Sequence, residues 1–471
     1  MDTIVTELVA ILKKETNFLA KERALMFFLF QLCAQLMSLA FEQLDKELVP
    51  EFKEKGYQIE KLNERKILTL FGEIHFSRRR YVKPNHPAVY GLDQFLGLKK
   101  HIRYSLLAQR NICELAAKLT YRKASEAIEL LTCFTMSHRK INDLAIKTGK
   151  EIEIKQTDEA RYEEEAIKKK SVPVLYIEGD GIQIKGREKK ALTIYRFQVC
   201  EGSKKIGKNR KELINYKEFV SMNRLKAFKE IQEYIANHYH VKETVVLANS
   251  DGGSGFEEDM MRELVYEPQR FEYFLDAYHV NRKIKERLFF AKELQEPLLS
   301  AIWQAYDWQS AQTVLDTVES LLIEDFDLPV YHESLRLLQA YLERNWAKIK
   351  PFHKRQLRGI QKCLGTCESN HRAYTYRMKR QGRYWTKDGA EAMCRILSSL
   401  RNQELDKWLM TDYEPIETDE ETQKRLRKAL RYATSSKRNA FTEHTGAISG
   451  RIVTDGKSTT GLAILAKSYA H

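Results

Sequence analysis

The segment Val172-Pro173-Val174-Leu175-Tyr176-Ile177-Glu178-Gly179-Asp180-Gly181-Ile182-Gln183-Ile184 decides how the chain is read. It is rich in β-branched residues, which fit a pleated surface, so a strand is expected over 172–184. Two glycines flank one aspartate inside it. Without side chains on either side, the Asp180 carboxylate is open to close approach by a cation or a phosphate. Downstream, a Lys185-Gly186-Arg187 turn leads to a second strand over 191–200, and 213–220 makes a third, weaker one. Leu225, Phe228, Ile231 and Ile235 then recur at helical spacing over 224–238. Next come a short, wholly apolar strand at 245–248, of the type buried at a sheet centre, a helix over 256–265, a strand over 271–275 and a helix from 279. The order is β-β-β-α-β-α-β-α.

Three strands in a meander, then alternation with helices, is the element order of an RNase H-like fold. The expected fold class is therefore α/β: an RNase H-like catalytic core, interrupted by an all-helical insertion and preceded by a mainly helical N-terminal DNA-binding region. That is an analogy of order, and function has to be argued from the site. Asp251, in Leu247-Ala248-Asn249-Ser250-Asp251-Gly252-Gly253, falls just past the 245–248 strand, where α/β sites collect. If the first and fourth strands are neighbours, Asp180 and Asp251 face each other. Two carboxylates so placed repel, and hard divalent cations such as Mg2+ or Mn2+ relieve that repulsion. Two ions about 3.5–4 Å apart activate a water or a 3′-OH and stabilise the leaving oxygen of a phosphodiester. Each Asp-Gly alone is a common turn sequence; the signal is the pair on strands one and four.

A third carboxylate is expected from a helix. Glu368, in Gly365-Thr366-Cys367-Glu368-Ser369-Asn370-His371-Arg372, is a lone acid between Lys348, Lys350, Lys354, Arg355, Arg358, Lys362 and Arg372, Arg377, Lys379, Arg380, Arg383. Its other reading is an ion pair with Arg372 at i+4. Arg372, Arg377, Lys379 and Arg380 are candidate DNA contacts. Trp385 and Tyr384 read either as stacking platforms for frayed bases or as core. Cys363, Cys367 and His371 would share one helical face at i, i+4, i+8; a zinc site there has unusual spacing, and core cysteines are the alternative.

The chain has 471 residues and a formal net charge of +14, enough for about two to four domains and a balance that favours nucleic acid over a membrane surface as partner. Residues 1–100 read as helices followed by a β-hairpin at 65–81, which ends in Arg78-Arg79-Arg80; these either lie on phosphates or form a solvated strand end. Residues 101–160 read as helices. A helix at 121–131, a break at 132–136 and a helix at 137–145 with Ser137 as N-cap fit a helix-turn-helix, with His138, Arg139, Lys140 and Asn142 facing a major groove. Many helical hairpins bind nothing, and that reading stays open beside it. Residues 150–170 are dense in charge and read as a helical or loose linker. The core spans 161–291, the helical insertion 292–362 with Trp303, Trp308 and Trp346, the helix of Glu368 363–402, and a tail 403–471 that is acidic at 411–422 and basic at 424–451.

Seven scattered cysteines do not make a disulfide framework, so a reducing cytoplasm fits best. The N-terminus lacks the basic start of a signal peptide. Residues 24–41 carry no charge, but Gln31, Gln35 and Ser38 form a polar stripe. The stretch therefore reads as a buried helix of a soluble domain rather than a membrane span.

With these pieces in hand, the chain resembles bacterial insertion-sequence transposases of the ISLre family, related to the Mutator-like DDE superfamily. The likeness is carried by Glu178-Gly179-Asp180-Gly181, Ser250-Asp251-Gly252, Asp276-Ala277-Tyr278-His279, Glu368-Ser369-Asn370 and Tyr384-Trp385-Thr386-Lys387-Asp388-Gly389-Ala390. It implies metal-binding acids at the first two motifs, a third motif at Asp276 and His279, a helical insertion before the Glu, and DNA strand cleavage and transfer. Mutator-like elements often carry Cys where Asp276 stands, which leaves its role open; His279 is expected to brace the site or orient DNA. The implied partners are double-stranded DNA with terminal inverted repeats and target DNA, with a homodimer or larger assembly on DNA. A nuclease or resolvase that cuts without joining, and a non-catalytic DNA-binding regulator, are the competing functions.

Overall fold

The computed structural model describes residues 2–162, 169–187, 190–208, 210–324, 328–410 and 424. The chain divides into two units, Met1–Asp412 and Tyr413–His471. The acidic and basic runs expected in the tail lie outside the described residues, Lys424 apart. The first unit is mixed α/β, with sheets of three, five and two strands.

The antiparallel strands β1 (Gln58–Thr69), β2 (Gly72–Lys83) and β3 (His86–Tyr90) form the N-terminal sheet. The central sheet holds β4 (Val174–Lys185), β5 (Ala191–Cys200), β8 (Lys217–Ser221), β9 (Val245–Ser250) and β10 (Arg270–Leu275), in the order β10-β9-β4-β5-β8. β4, β5 and β8 pair antiparallel; β9 and β10 run parallel to β4. β6 (Gly202–Gly207) and β7 (Arg210–Ile214) make a small separate hairpin. The single strand expected over 213–220 is thus divided between β7 and β8. Asn215 adopts a positive φ of 49°, a turn conformation that Asn tolerates better than most residues.

Alternation along β4 assigns its faces. Leu175 and Ile177 enter one core with Phe197, Val246, Ala248, the Arg224–His238 helix and, from the helices of 295–345, Leu298, Leu315, Leu338 and Leu342. The helical segment expected as an insertion therefore buries its apolar side in the sheet's own core. Ile182, Ile184, Ile194 and Val220 enter a second core, shared with helices Leu106–Lys118, Tyr121–Leu131, His138–Tyr162 and Lys387–Arg401. The sheet lies between two helical layers, and residues far apart in sequence complete the second.

The expected short helix 137–145 and following linker are corrected here. One helix of 25 residues, His138–Tyr162, runs through both. Ile141, Ala145 and Ile152 continue one buried stripe into the charge-dense stretch, and packing overrides composition. At its crossing with the Lys387–Arg401 helix, a Cβ on Gly149 would stand 2.4 Å from the Ala392 Cα. Gly149→Ala should therefore destabilise the protein by about 1–3 kcal/mol, despite the roughly 1 kcal/mol that alanine gains within a helix. Urea unfolding of both proteins measures the sign.

The N-terminal helix Phe18–Glu47 is also not the buried helix expected. Asn17 caps it, accepting from the Ala20 N–H at 2.9 Å. Its inner face lies on β2: Ser38 donates to the His75 carbonyl, Glu42 accepts from the Ser77 N–H at 2.9 Å, and Phe41 sits edge-on to Phe76. Only Asp45, paired with Arg79, is fully buried. A three-stranded sheet covers one side of the helix over its C-terminal part, through Ala34, Met37, Phe41 and Leu44, and leaves the other open. Phe18–Glu54 is long and apolar enough to cross a membrane by length and composition.

Candidate active site

β4, β9 and β10 bring three aspartates to one level. Gly179 pairs with Ser250, and Ser250 with Leu275, so the next residues on these neighbouring parallel strands are Asp180, Asp251 and Asp276. Alternation gives all three the sheet face that also carries Tyr176 and Phe274. Asp251 is held by the Gly253 N–H at 2.9 Å. Asp276 caps the helix Ala277–Arg287, accepting from the Tyr278 N–H at 3.2 Å, and its second oxygen meets His279 Nδ1 at 3.0 Å. Gly179 is required by packing: a Cβ there would fall 2.7 Å from Phe256.

Asp180 is 9% exposed and accepts from the Gly181 N–H at 2.6 Å. Burial first, then the charges of Asp251 and Asp276, push its carboxyl up to about 7, against the opposing pull of that N–H and of His279. His279 is raised as well, which for a base favours its charge: its bond to Asp276 and the three aspartates hold it above the usual imidazole value. The cluster thus carries more negative charge than its own residues neutralise. Among the described residues, no three His, Cys, Asp or Glu side chains form a ready-made shell for a metal ion.

Glu368 is placed beside this cluster rather than in it. It is exposed on the first turn of the short helix Cys367–Asn370, and no ion pair with Arg372 forms among the described residues. Its charge acts on Arg282, which lies on the same helix as His279. The segment itself is tied to β4. Glu178 Oε2 accepts from the N–H groups of Thr366 and Cys367, each at 2.9 Å, and Thr366 Oγ1 donates to Glu178 at 2.6 Å. His371 Nδ1 lies 3.5 Å from Asp180. Burial, then Arg196, push the His371 ring down to about 3, so this is a neutral imidazole against a carboxyl and not a salt bridge.

Several expected site residues are corrected. Arg377 is 0% exposed: it donates to the Ala116 carbonyl and stacks on Tyr121 and Trp385. Trp385, 5% exposed, donates to the Met378 carbonyl inside the core. Neither is open to DNA, because both lie in the interior, with the guanidinium against the indole. Arg372, Lys379, Arg380 and Tyr384 are exposed. Arg78, Arg79 and Arg80 lie inside β2, not at its end, and pair with Asp93, Asp45 and Glu60. His138, Arg139 and Lys140 are exposed at the start of their helix, and Asn142 is half-buried. Cys363, Cys367 and His371 do not share a helical face. The helix begins at Cys367, and Cys363, ahead of it in irregular chain, shares a thiol hydrogen bond with Cys200 instead; of the three, only Cys367 and His371 meet, at 3.5 Å.

Residues that sequence reasoning passed over hold the site in place. Arg196, opposite Asp180 in register, donates to Glu218, Gln198, Tyr216 and the Cys367 carbonyl. Glu218 also accepts from Tyr374 and Arg401. A lone arginine in the apolar strand Thr193–Cys200 was the available signal, since a buried charge must find partners. Glu178 was visible too, two residues from Asp180 and so on the same face.

Residues 13–414 match an uncharacterised protein family, UPF0236. That span includes all the acids and histidines described above. A Streptococcus gallolyticus protein, described as the UPF0236 protein in vanSb 3'region, is 37% identical over 405 residues, covering 85% of this chain and 86% of that protein. With both alignments running through the central sheet and the Glu368 segment, the chain belongs to the UPF0236 family.

Proposed function

We propose that this chain is a DDE-type transposase with an RNase H-like core, cutting and joining DNA at the ends of an insertion sequence. The observation that carries the reading is the level row of Asp180, Asp251 and Asp276 on three adjacent parallel strands of a basic protein. The sheet order, with three antiparallel strands on one side and two parallel ones on the other, supports the fold assignment. The donor set fits Mg2+ or Mn2+: hard carboxylate oxygens with negative charge that the protein leaves uncompensated. When bound, such an ion supplies the charge neutralisation that displacement at a phosphodiester requires.

The chain's own groups do the positioning. Asp180 and Asp251 are the primary ligands. Asp276 fixes the ring of His279, whose raised basicity suits it to hold a phosphate oxygen. Glu368, exposed on the turn that Glu178 anchors, is the proposed third acid; Asp276 is the alternative, because it already stands in the row. The helices Tyr121–Leu131 and His138–Tyr162 are proposed as the helix-turn-helix that reads the element ends through His138, Arg139, Lys140 and Asn142.

The test incubates the full chain and Mg2+ with duplex DNA carrying the ends of its own element. Cleaved and joined products are expected, and Asp251→Asn should lower their rate by about a thousandfold or more. Comparing Glu368→Gln with Asp276→Asn identifies the third acid. Cleavage without joining would favour the nuclease or resolvase, and end binding without cleavage the regulator.

A further inference from the structure

The outward side of the Phe18–Glu47 helix carries Leu25, Leu29, Leu32, Leu36 and Leu39. Their spacing alternates four and three, the seam of a coiled coil rather than the wider stripe of a helix lying on its own domain. Leu29, Leu36 and Leu39 are 46%, 53% and 63% exposed. Over its C-terminal part the opposite side is already used against β2, through Ser38, Glu42 and Asp45. Val5, Val9 and Leu12 of the preceding helix Asp2–Lys14 extend the exposed apolar surface.

We infer that this seam is a homodimer interface in which two copies pair antiparallel about a twofold axis near Ala34. The sequence of the seam selects both occupant and direction. Continued at the same spacing, the seam ends in Glu22 on one side and Gln43 and Lys46 on the other. An antiparallel twofold sets Leu29 against Leu39, Leu32 against Leu36 and Glu22 against Lys46, each pair twice. Just outside, Lys21 falls opposite Glu47. A parallel pair in register instead sets Glu22 on Glu22 and Lys46 on Lys46, and like charges in contact are repulsive. A twofold interface must be self-complementary, and this face is so in both shape class and charge. A lipid bilayer is the weaker occupant: a helix whose other side is bonded to strand residues Ser77 and Arg79 cannot be surrounded by lipid. This inference does not depend on the chemistry proposed for the aspartates.

The measurement is sedimentation equilibrium of the full chain without DNA at micromolar concentration. A dimer is expected, and Leu29→Lys/Leu36→Lys should be monomeric with an unchanged circular dichroism spectrum. Lys46→Glu should weaken the dimer about tenfold, and Glu22→Lys/Lys46→Glu should restore it to within about threefold. The charge-swap rescue keeps the test valid even if the double lysine variant unfolds. A monomeric wild type, a dimer indifferent to Lys46→Glu, or binding to phosphatidylcholine vesicles in place of self-association would overturn the inference.

Discussion

Asp180→Asn is expected to make the metal-free protein more stable while removing the DNA cleavage proposed for it. Asp180 sits in a place that disfavours its charge, because burial and the nearby Asp251 and Asp276 push its carboxyl up to about 7. In the unfolded chain it ionises near the ordinary aspartate value. A carboxyl whose folded value is raised costs stability above that value, and the cost disappears as pH falls through about 7 towards the unfolded value. The metal-free wild type should therefore gain stability on mild acidification, by something on the order of 1–3 kcal/mol. The amide keeps the shape and removes the charge, so the variant should be more stable at pH 8 and lose that part of the pH dependence. Millimolar Mn2+ should raise the melting temperature of the wild type by linkage and leave the variant nearly unmoved. Thermal unfolding at pH 6 and 8, with and without Mn2+, reads all of this without any DNA. A variant less stable than wild type at pH 8 would show that the aspartates do not strain the fold.

Arg196→Met should cost about 3–5 kcal/mol, the range for breaking a buried ion pair from one side. Arg196 and Glu218 are both fully buried. Removing the guanidinium takes one donor each from Gln198 and the Cys367 carbonyl and leaves Glu218 with Arg401 as its remaining cation. Arg196→Met/Glu218→Gln should cost less than the sum of the two single changes, since the second removes the charge that the first exposes. Urea unfolding of the four proteins gives the coupling directly. The loss should also loosen the Cys367–Asn370 turn, which Arg196 and Glu178 hold from below, and faster amide exchange at Thr366 and Cys367 is the accompanying signal.

What could be read from the sequence was what alternation and glycine placement encode. The strands around Asp180 and Asp251, the helix carrying Ile231 and Ile235, and the helical nature of 295–345 all follow from local pattern. Directions of side chains at the far end of the chain did not. Glu368 was legible as a lone acid in a basic stretch, but nothing local says that its turn points Cys367 and His371 inward and Glu368 out. Arg377 reads as a DNA contact, and Trp385 as either a stacking platform or core, because a sequence does not show that a guanidinium will lie between two rings in the interior. The Phe18–Glu47 helix was misjudged for a related reason. An apolar helix with the Gln31, Gln35 and Ser38 stripe reads as buried, whereas the small sheet beneath it covers only Ala34, Met37, Phe41 and Leu44.

The second core has a consequence for how the chain comes into being. Ile182, Ile194 and Val220 are covered jointly by Ile112 and Ile141, made early, and by Met393 and Ile396, made late. During synthesis the helices of 106–162 and the strands β4, β5 and β8 must wait, with apolar sides open, until the Lys387–Arg401 helix has left the ribosome. Such long-range closure slows folding and lengthens exposure to aggregation. A chain truncated before residue 387 should therefore yield no stable N-terminal fragment.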